Sequence, residues 1–172
     1  MKHPETDEMA TDSTEYRLPI AYIRTDSLLA SYKYYIDLNE AFMRKYEDKR
    51  VVIKNREDKL RKDIEDFYQR AQANAFFNDE RRVQEQNRLA KAEQDLQKFA
   101  AQAEQEFALE NAKNSRQLQE SIKAALDEFN TPRKYEIIFS DIGSDNILFA
   151  DKSYDITQEI IEYMNSRYVP KK

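Results

Sequence analysis

Residues 42–71 read FMRKYEDKRVVIKNREDKLRKDIEDFYQRA. Tyr46, Ile53, Leu60 and Phe67 recur every seven residues, with Phe42, Ile64 and Ala71 in the neighbouring positions. A sustained apolar step of seven predicts a helix that supercoils against another helix, not one lying on a globule. Lys49, Arg56 and Asp63 fall where a strict seam wants apolar groups, so the spacing predicts a narrow, partly wet seam that can bend.

The same step continues downstream in Leu89, Leu96 and Ala103, joined by Phe99, Phe107, Leu118, Ile122, Ala125 and Phe129. Prolines stand at 4, 19, 132 and 170 and the single glycine is Gly143, so nothing from Ile20 to Thr131 is a helix breaker. Between the two repeats lies NAFFNDE, residues 74–80. Asn78 or Asp79 can cap a second helix there, and the acidic pair in its first turn suits the helix dipole. The expectation is a helical-hairpin arm over residues 33–129, antiparallel and coiled-coil in its packing, with its tip near 73–80. Its first helix, about forty residues long, would span about 60 Å at 1.5 Å per residue.

The flanks differ in kind. Ile20–Ile23, Tyr135–Phe139 and Ile147–Ala150 read as short strands, the last two joined by the turn-rich Ser140–Asn146. A final amphipathic helix with the face Ile156, Ile160, Ile161 and Met164 begins at Asp155, with Gln158 placed for a variant capping box. Residues 19–32 and 130–168 thus form a small strand-and-helix body, with the arm inserted between its first and second strands. So short a body buries too little surface to stand alone, and its strand faces and edges must pair with something. Copies of the same chain are the simplest partner. Ile20, Tyr22, Ile137, Phe139 and Leu148 are the residues expected at that oligomeric contact. Residues 1–18 read as a polar tail without order of its own.

Composition limits the chemistry. The chain of 172 residues is 35% charged, contains no Cys and has one His, His3, inside the polar tail. Thiol nucleophiles, disulfides and zinc–thiolate sites are excluded. An imidazole base or His-bound metal would have no rigid mounting. Asp and Glu lie among Lys and Arg on helical faces, the pattern of solvated surface. No catalytic residue, cofactor or metal ligand is expected, and the chain does not read as an enzyme. No apolar run is long enough to span a bilayer, and residues 1–18 lack a signal-peptide hydrophobic segment, so an exported form is expected to have lost its signal already.

The net charge of −5 is uneven. Arg44–Lys62 holds nine basic against four acidic groups, with Arg44, Lys45, Lys49, Arg50, Lys54 and Arg56 as its upper part. Such a patch reads first as a solvated face and second as weak steering of acidic clients or a membrane surface. The chain as a whole lacks the basic footprint of a nucleic-acid binder.

Phe76 and Phe77, at the tip, are candidates for client contact, because exposed apolar surface far from a core usually has a partner. They can equally fold back and staple the turn. Tyr34 and Tyr35, at the arm base with Tyr32, can line a cavity mouth or simply pack the junction.

The run IAYIRTDSLLASY, residues 20–32, is similar to the first strand and short helix of Skp/OmpH proteins, and LFADKSYDIT, residues 148–157, resembles that family's last strand and helix entry. With the arms between, the resemblance covers residues 18–168. It implies a homotrimer whose strands close a central β-barrel, with three arms projecting jellyfish-like around a cavity. It also implies a periplasmic, ATP-independent holdase that shelters unfolded outer-membrane proteins there. Where that family's well-studied members are basic, this chain is acidic. A second class of reading is a coiled-coil scaffold or tether that docks one defined partner. Breadth of binding separates the two.

Overall fold

The structure, a computed structural model, describes residues 17–133, 135–142 and 147–170. Strand β1 (Ile20–Arg24) runs directly into helix α1 (Thr25–Ser31), which breaks at Tyr32 before α2 (Lys33–Gln72). Helix α3 (Asp79–Asn130) returns antiparallel, followed by β2 (Ile137–Asp141), a 3-10 turn (Lys152–Tyr154) and α4 (Thr157–Arg167).

Local chemistry explains the hairpin. At the end of α2, Ala75 N–H donates to Arg70 O at 2.9 Å and Asn74 N–H to Ala71 O at 3.3 Å. Asn74 has φ 49°, and asparagine is one of the few residues that tolerate the left-handed conformation this helix stop requires. Four residues later Asn78 caps α3, its Oδ1 accepting from Arg81 N–H at 2.9 Å. The far end of α3 is closed by Arg133, which donates to Phe129 O at 3.2 Å, and Pro132 stands beyond the last turn, where helices commonly stop.

Strands β1 and β2 pair in parallel, with Ile20 opposite Ile137 and Arg24 opposite Asp141. Parallel strands need a long crossover, and here the crossover is the whole arm. The other edge of β1 is taken by Asp155-Ile156-Thr157. Ile156 N–H donates to Tyr22 O at 3.1 Å, and Arg24 N–H donates to Thr157 Oγ1 at 2.9 Å. Asp155 Oδ1 accepts from Thr157 N–H at 2.9 Å while its Oδ2 accepts from Arg24 Nε at 3.1 Å. The N-cap of α4 is Ile156, and Asp155, one residue before it, accepts the N–H of the first helical residue instead of capping from the N-cap position. Gln158 does not complete a box, because it donates to Glu162 at 2.8 Å instead.

The core is one cluster at the arm base. Ala21 and Ile23 of β1 meet Leu28, Tyr32 and Phe129, over which α4 lays Ile160, Ile161 and Met164, with Ile156 just before it. Ile160 and Phe129 are the best-buried large side chains, each contributing on the order of 2 kcal/mol by removal from water.

Two strand expectations are corrected. β2 starts at Ile137, not Tyr135, because Tyr135 spends its backbone on Asn130: its N–H donates to Asn130 Oδ1 and its O accepts from Asn130 Nδ2, both at 2.8 Å. Ile147–Ala150 is not a strand: it is irregular, with Leu148 96% and Phe149 90% exposed. A strand needs a backbone ladder, and among the described residues the only ladder is that of β1 with β2. The tail up to residue 16, with His3, and the 143–146 part of the turn link, with Gly143, lie outside the described residues. Arg17 donates to Ser153 O at 3.1 Å and lies over the Tyr154 ring.

Burial tends to raise the Asp155 carboxyl, but the bonds from Thr157 and Arg24 outweigh it and hold the group below its ordinary value of 3.8. Its contribution is present above that value and is lost as pH falls through the lower folded one. We expect Asp155→Ala to cost about 1 kcal/mol at pH 7, as for a lost helix cap. The gap from the parent in urea melts should narrow toward pH 3. A gap independent of pH would mean that the ionised carboxylate contributes nothing.

Candidate functional site: arm and body surfaces

The arm seam is held by rings and by charges in alternation. Near the base, Phe107 of α3 packs edge-on between Phe42 and Tyr46 of α2, with centroids at 5.9 and 5.0 Å. Further out, Phe99 receives two cations, the Arg56 guanidinium at 4.0 Å and the Lys49 ammonium at 5.1 Å. Beyond them Arg88 of α3 bonds Asp63 at 3.2 Å and Glu85 at 2.9 Å, and Arg70 reaches Glu85 at 3.6 Å. The hydrogen bond from Arg88 lowers the Glu85 carboxyl, and Glu85 with Asp63 raises the Arg88 guanidinium. Lys49, Arg56 and Asp63, which interrupt the apolar step in the sequence, reach across the seam beside Leu89 and Ala103, which it buries, and Ile53, Leu60 and Leu96, which it half-buries. Exposed ion pairs contribute about 0–1 kcal/mol each, so the charges add a little to what the apolar positions supply.

Most of the basic patch is ion-paired while its side chains stay exposed. Lys45 pairs with Glu110 at 2.5 Å and Lys49 with Glu106 at 3.3 Å, both across the hairpin. Arg44 pairs with Glu40 at 3.3 Å and Arg50 with Glu47 at 3.7 Å along α2. Lys54 is exposed. The patch therefore combines pairing within the arm with a solvated basic face.

At the tip the two phenylalanines separate. Phe76 folds back onto Phe67, centroids 5.4 Å apart, beneath the Arg70 guanidinium at 5.1 Å. Phe77 is 94% exposed. At the base, Tyr35 packs against the core cluster. Tyr34 lies half-buried between Tyr32 and Tyr168, with centroids at 5.7 and 5.8 Å. Tyr168 was not singled out by any periodicity. Its hydroxyl donates to Asp37 Oδ2 at 2.7 Å, which pushes its pKa up to about 12.

The body carries the largest apolar depression. A groove of about 650 Å³ is lined by Ile20, Tyr22, Phe139, Leu148, Phe149 and Tyr154, among others. Four of the five residues expected at an oligomeric contact converge on it. The fifth, Ile137, lies on the same face of β2 as Phe139, and both are about half exposed, while Ile138 turns toward the core. Among the described residues there is no group of three or more His, Cys, Asp or Glu able to hold a metal, and no helix long and apolar enough to cross a membrane.

A family model described as outer membrane protein (OmpH-like) matches residues 19–164. Among solved structures, a protein of Caulobacter crescentus CB15 described as an OmpH-like outer membrane chaperone superposes with a TM-score of 0.76. The identity is 8%, and the match covers 88% of this chain and 86% of that one. At that identity the likeness bears on the fold. A search of curated proteins finds no match.

The tip geometry separates two substitutions. Phe76→Ser should lower arm stability by about 1–2 kcal/mol, since it removes a half-buried ring from the hairpin stop. Phe77→Ser should stay within about 0.5 kcal/mol of the parent, as surface changes do. Equal losses in thermal melts would mean that both rings staple the turn.

Proposed function

The chain belongs to the OmpH-like family of outer membrane proteins, and from that premise we propose that it is an ATP-independent holdase chaperone for unfolded outer-membrane proteins in the periplasm. The observation that carries this reading is a long helical hairpin projecting from a small body whose outer apolar groove is uncovered. On this reading three copies cover one another's grooves, Leu148 and Phe149 become buried between them, and the strands close a barrel from which three arms enclose a cavity. A free strand edge beside exposed apolar side chains is a ready template for such pairing.

The arm surface fits weak, unselective holding. Met43, Tyr46, the adjacent Val51 and Val52, Tyr68, Val83 and Leu109 are exposed among charged residues, and Phe77 adds one ring at the tip. Many weak contacts on adaptable surfaces let one site accept different chains. A tether for one defined partner would instead require a concentrated cluster of large anchors. With much of the basic patch paired within the arm, contact with acidic clients or a membrane surface would be a minor electrostatic contribution. No step in this mechanism is chemical, and no cofactor enters it.

Two measurements test the reading. Replacing Ile137 and Phe139 together by Asp should dissociate the assembly or unfold it, read as solution mass. An intact oligomer of unchanged stability would rule out the proposed body contact. Removing two heptads from each helix around the tip, so that the residual seam stays in register, should leave the assembly intact. The shortened protein should suppress aggregation of a diluted, denaturant-unfolded outer-membrane barrel much less well. Full suppression by it would place the client on the body. Binding to a single folded target, with no effect on several unrelated unfolded barrels, would favour the tether.

A further inference from the structure

The arm joins the body at two roots, and an asparagine side chain sits at each, bonded as a spare peptide group would be. At the exit of α3, Asn130 exchanges two hydrogen bonds with the backbone of Tyr135, both at 2.8 Å. At the entry of α2 the helical path from β1 to the tip is interrupted at Tyr32, which is extended at φ −78° and ψ 108°. Asn165 of α4 bridges that break. Lys33 N–H donates to its Oδ1 at 2.9 Å, and its Nδ2 donates to Ser31 O at 2.9 Å.

The same end of α4 grips both arm helices. The Tyr168 hydroxyl donates to Asp37 Oδ2 of α2 at 2.7 Å, and its ring lies 5.8 Å from Tyr34. On the α3 side the Tyr163 hydroxyl donates to Glu128 at 3.1 Å, and Arg167 pairs with the same carboxylate while stacking over Tyr163 at 4.8 Å. Asn165 and Tyr168 stand outside the core cluster, and their bonds lie at exposed sites. Neither does what a buried core residue does for the fold. They stand where a small rotation is multiplied by the length of the arm.

We propose that the C-terminal end of α4, through Asn165 and Tyr168, is a latch that sets the angle at which the arm leaves the body. Hydrogen bonds at an exposed site exchange with water at small net cost, so the latch can release without unfolding the core. Released, α2 pivots at Tyr32, where the helix is already broken. Its consequence, the width available between arms, rests on the arm-cavity reading of the function. The latch itself does not.

The absence of Cys makes the test direct, since two introduced thiols can be spin-labelled without background. Gln69→Cys places one label far out on α2, and Lys152→Cys places the other on the body. The chain between Lys33 and Gln69 spans about 54 Å of helix, so a swing of about 10° at Tyr32 moves the outer label by about 9 Å. Labelled chain is diluted into unlabelled chain, so that the distance read by electron–electron resonance is internal to one copy. In Asn165→Ala with Tyr168→Phe we expect the distance distribution to broaden and its mean to shift by several ångström, with each single change giving a smaller effect. Circular dichroism and solution mass establish that fold and assembly are kept. Should Asn165→Ala fail to fold, Tyr168→Phe decides alone, because it removes one exposed hydroxyl and keeps the ring. Distributions superimposable on the parent's overturn the latch, whatever happens to client retention. A shifted distribution with unchanged retention of an unfolded barrel upholds the latch and overturns the arm-cavity reading instead.

Discussion

The arm depends on the closure of the chain's two ends around β1. One edge of that strand pairs with β2 and the other with Asp155-Ile156-Thr157, so residues more than a hundred positions apart meet on five residues of backbone. Without that closure α2 and α3 would have only their narrow seam and tip to hold them, and helices in proteins owe most of their stability to tertiary packing. The entropy of closing so long an excursion grows only slowly with its length. A few buried groups are therefore enough to hold it, and they are the ones found: Thr157 is buried and bonded to the backbone of Arg24, and Ile160 and Phe129 seal the cluster beneath. The body is small because its task is to hold the two arm roots side by side.

A seam that alternates rings with charges follows from the arm's position. A hairpin two helices thick buries only a narrow line of side chains, here Phe67, Leu89 and Ala103, with Ile53, Leu60 and Leu96 half-buried along it. Phe99 under Arg56 and Lys49, and Arg88 between Asp63 and Glu85, close the space between helices with side chains whose outer ends remain in water. Long cationic side chains suit this use, since their stems pack while their heads stay solvated. Each of these charged contacts adds a small net value to the narrow apolar line. That is compatible with an arm that adapts its shape.

The helical architecture was legible because its signals are local. The breaker-free run from Ile20 to Thr131, the heptad step and the Asn78 cap each act within a few turns, and each holds in the structure. Lys49, Arg56 and Asp63 could be recognised as interruptions of the step. Their partners on α3 could not be identified, because pairing across a hairpin depends on a register that the tip turn sets. The same limit separates Phe76 from Phe77: adjacent aromatic residues look alike in sequence, and only the left-handed turn at Asn74 decides which one meets Phe67. Reading Ile147–Ala150 as a strand failed for a different reason. Its composition suits a strand, but a strand also needs a backbone partner, and among the described residues this stretch pairs with neither β1, whose edges are taken, nor β2. Asn130, Asn165 and Tyr168 carry no periodic signal, since each works through a single long-range hydrogen-bonding geometry.

The apolar groove and the arm surface differ in a way that bears on how the two halves of the chain are used. On the body, Ile20, Tyr22, Phe139, Leu148 and Phe149 are gathered into one depression, the arrangement that favours a single well-fitted partner with a buried centre. On the arm, exposed apolar side chains are scattered among charges, the arrangement that favours loose contact with any extended chain. A protein built for one defined target would be expected to place its concentrated surface on the arm, the part that reaches outward. Here the concentrated surface sits on the body, where it would serve assembly, and the dispersed surface lies along the arm, where selectivity would be a hindrance.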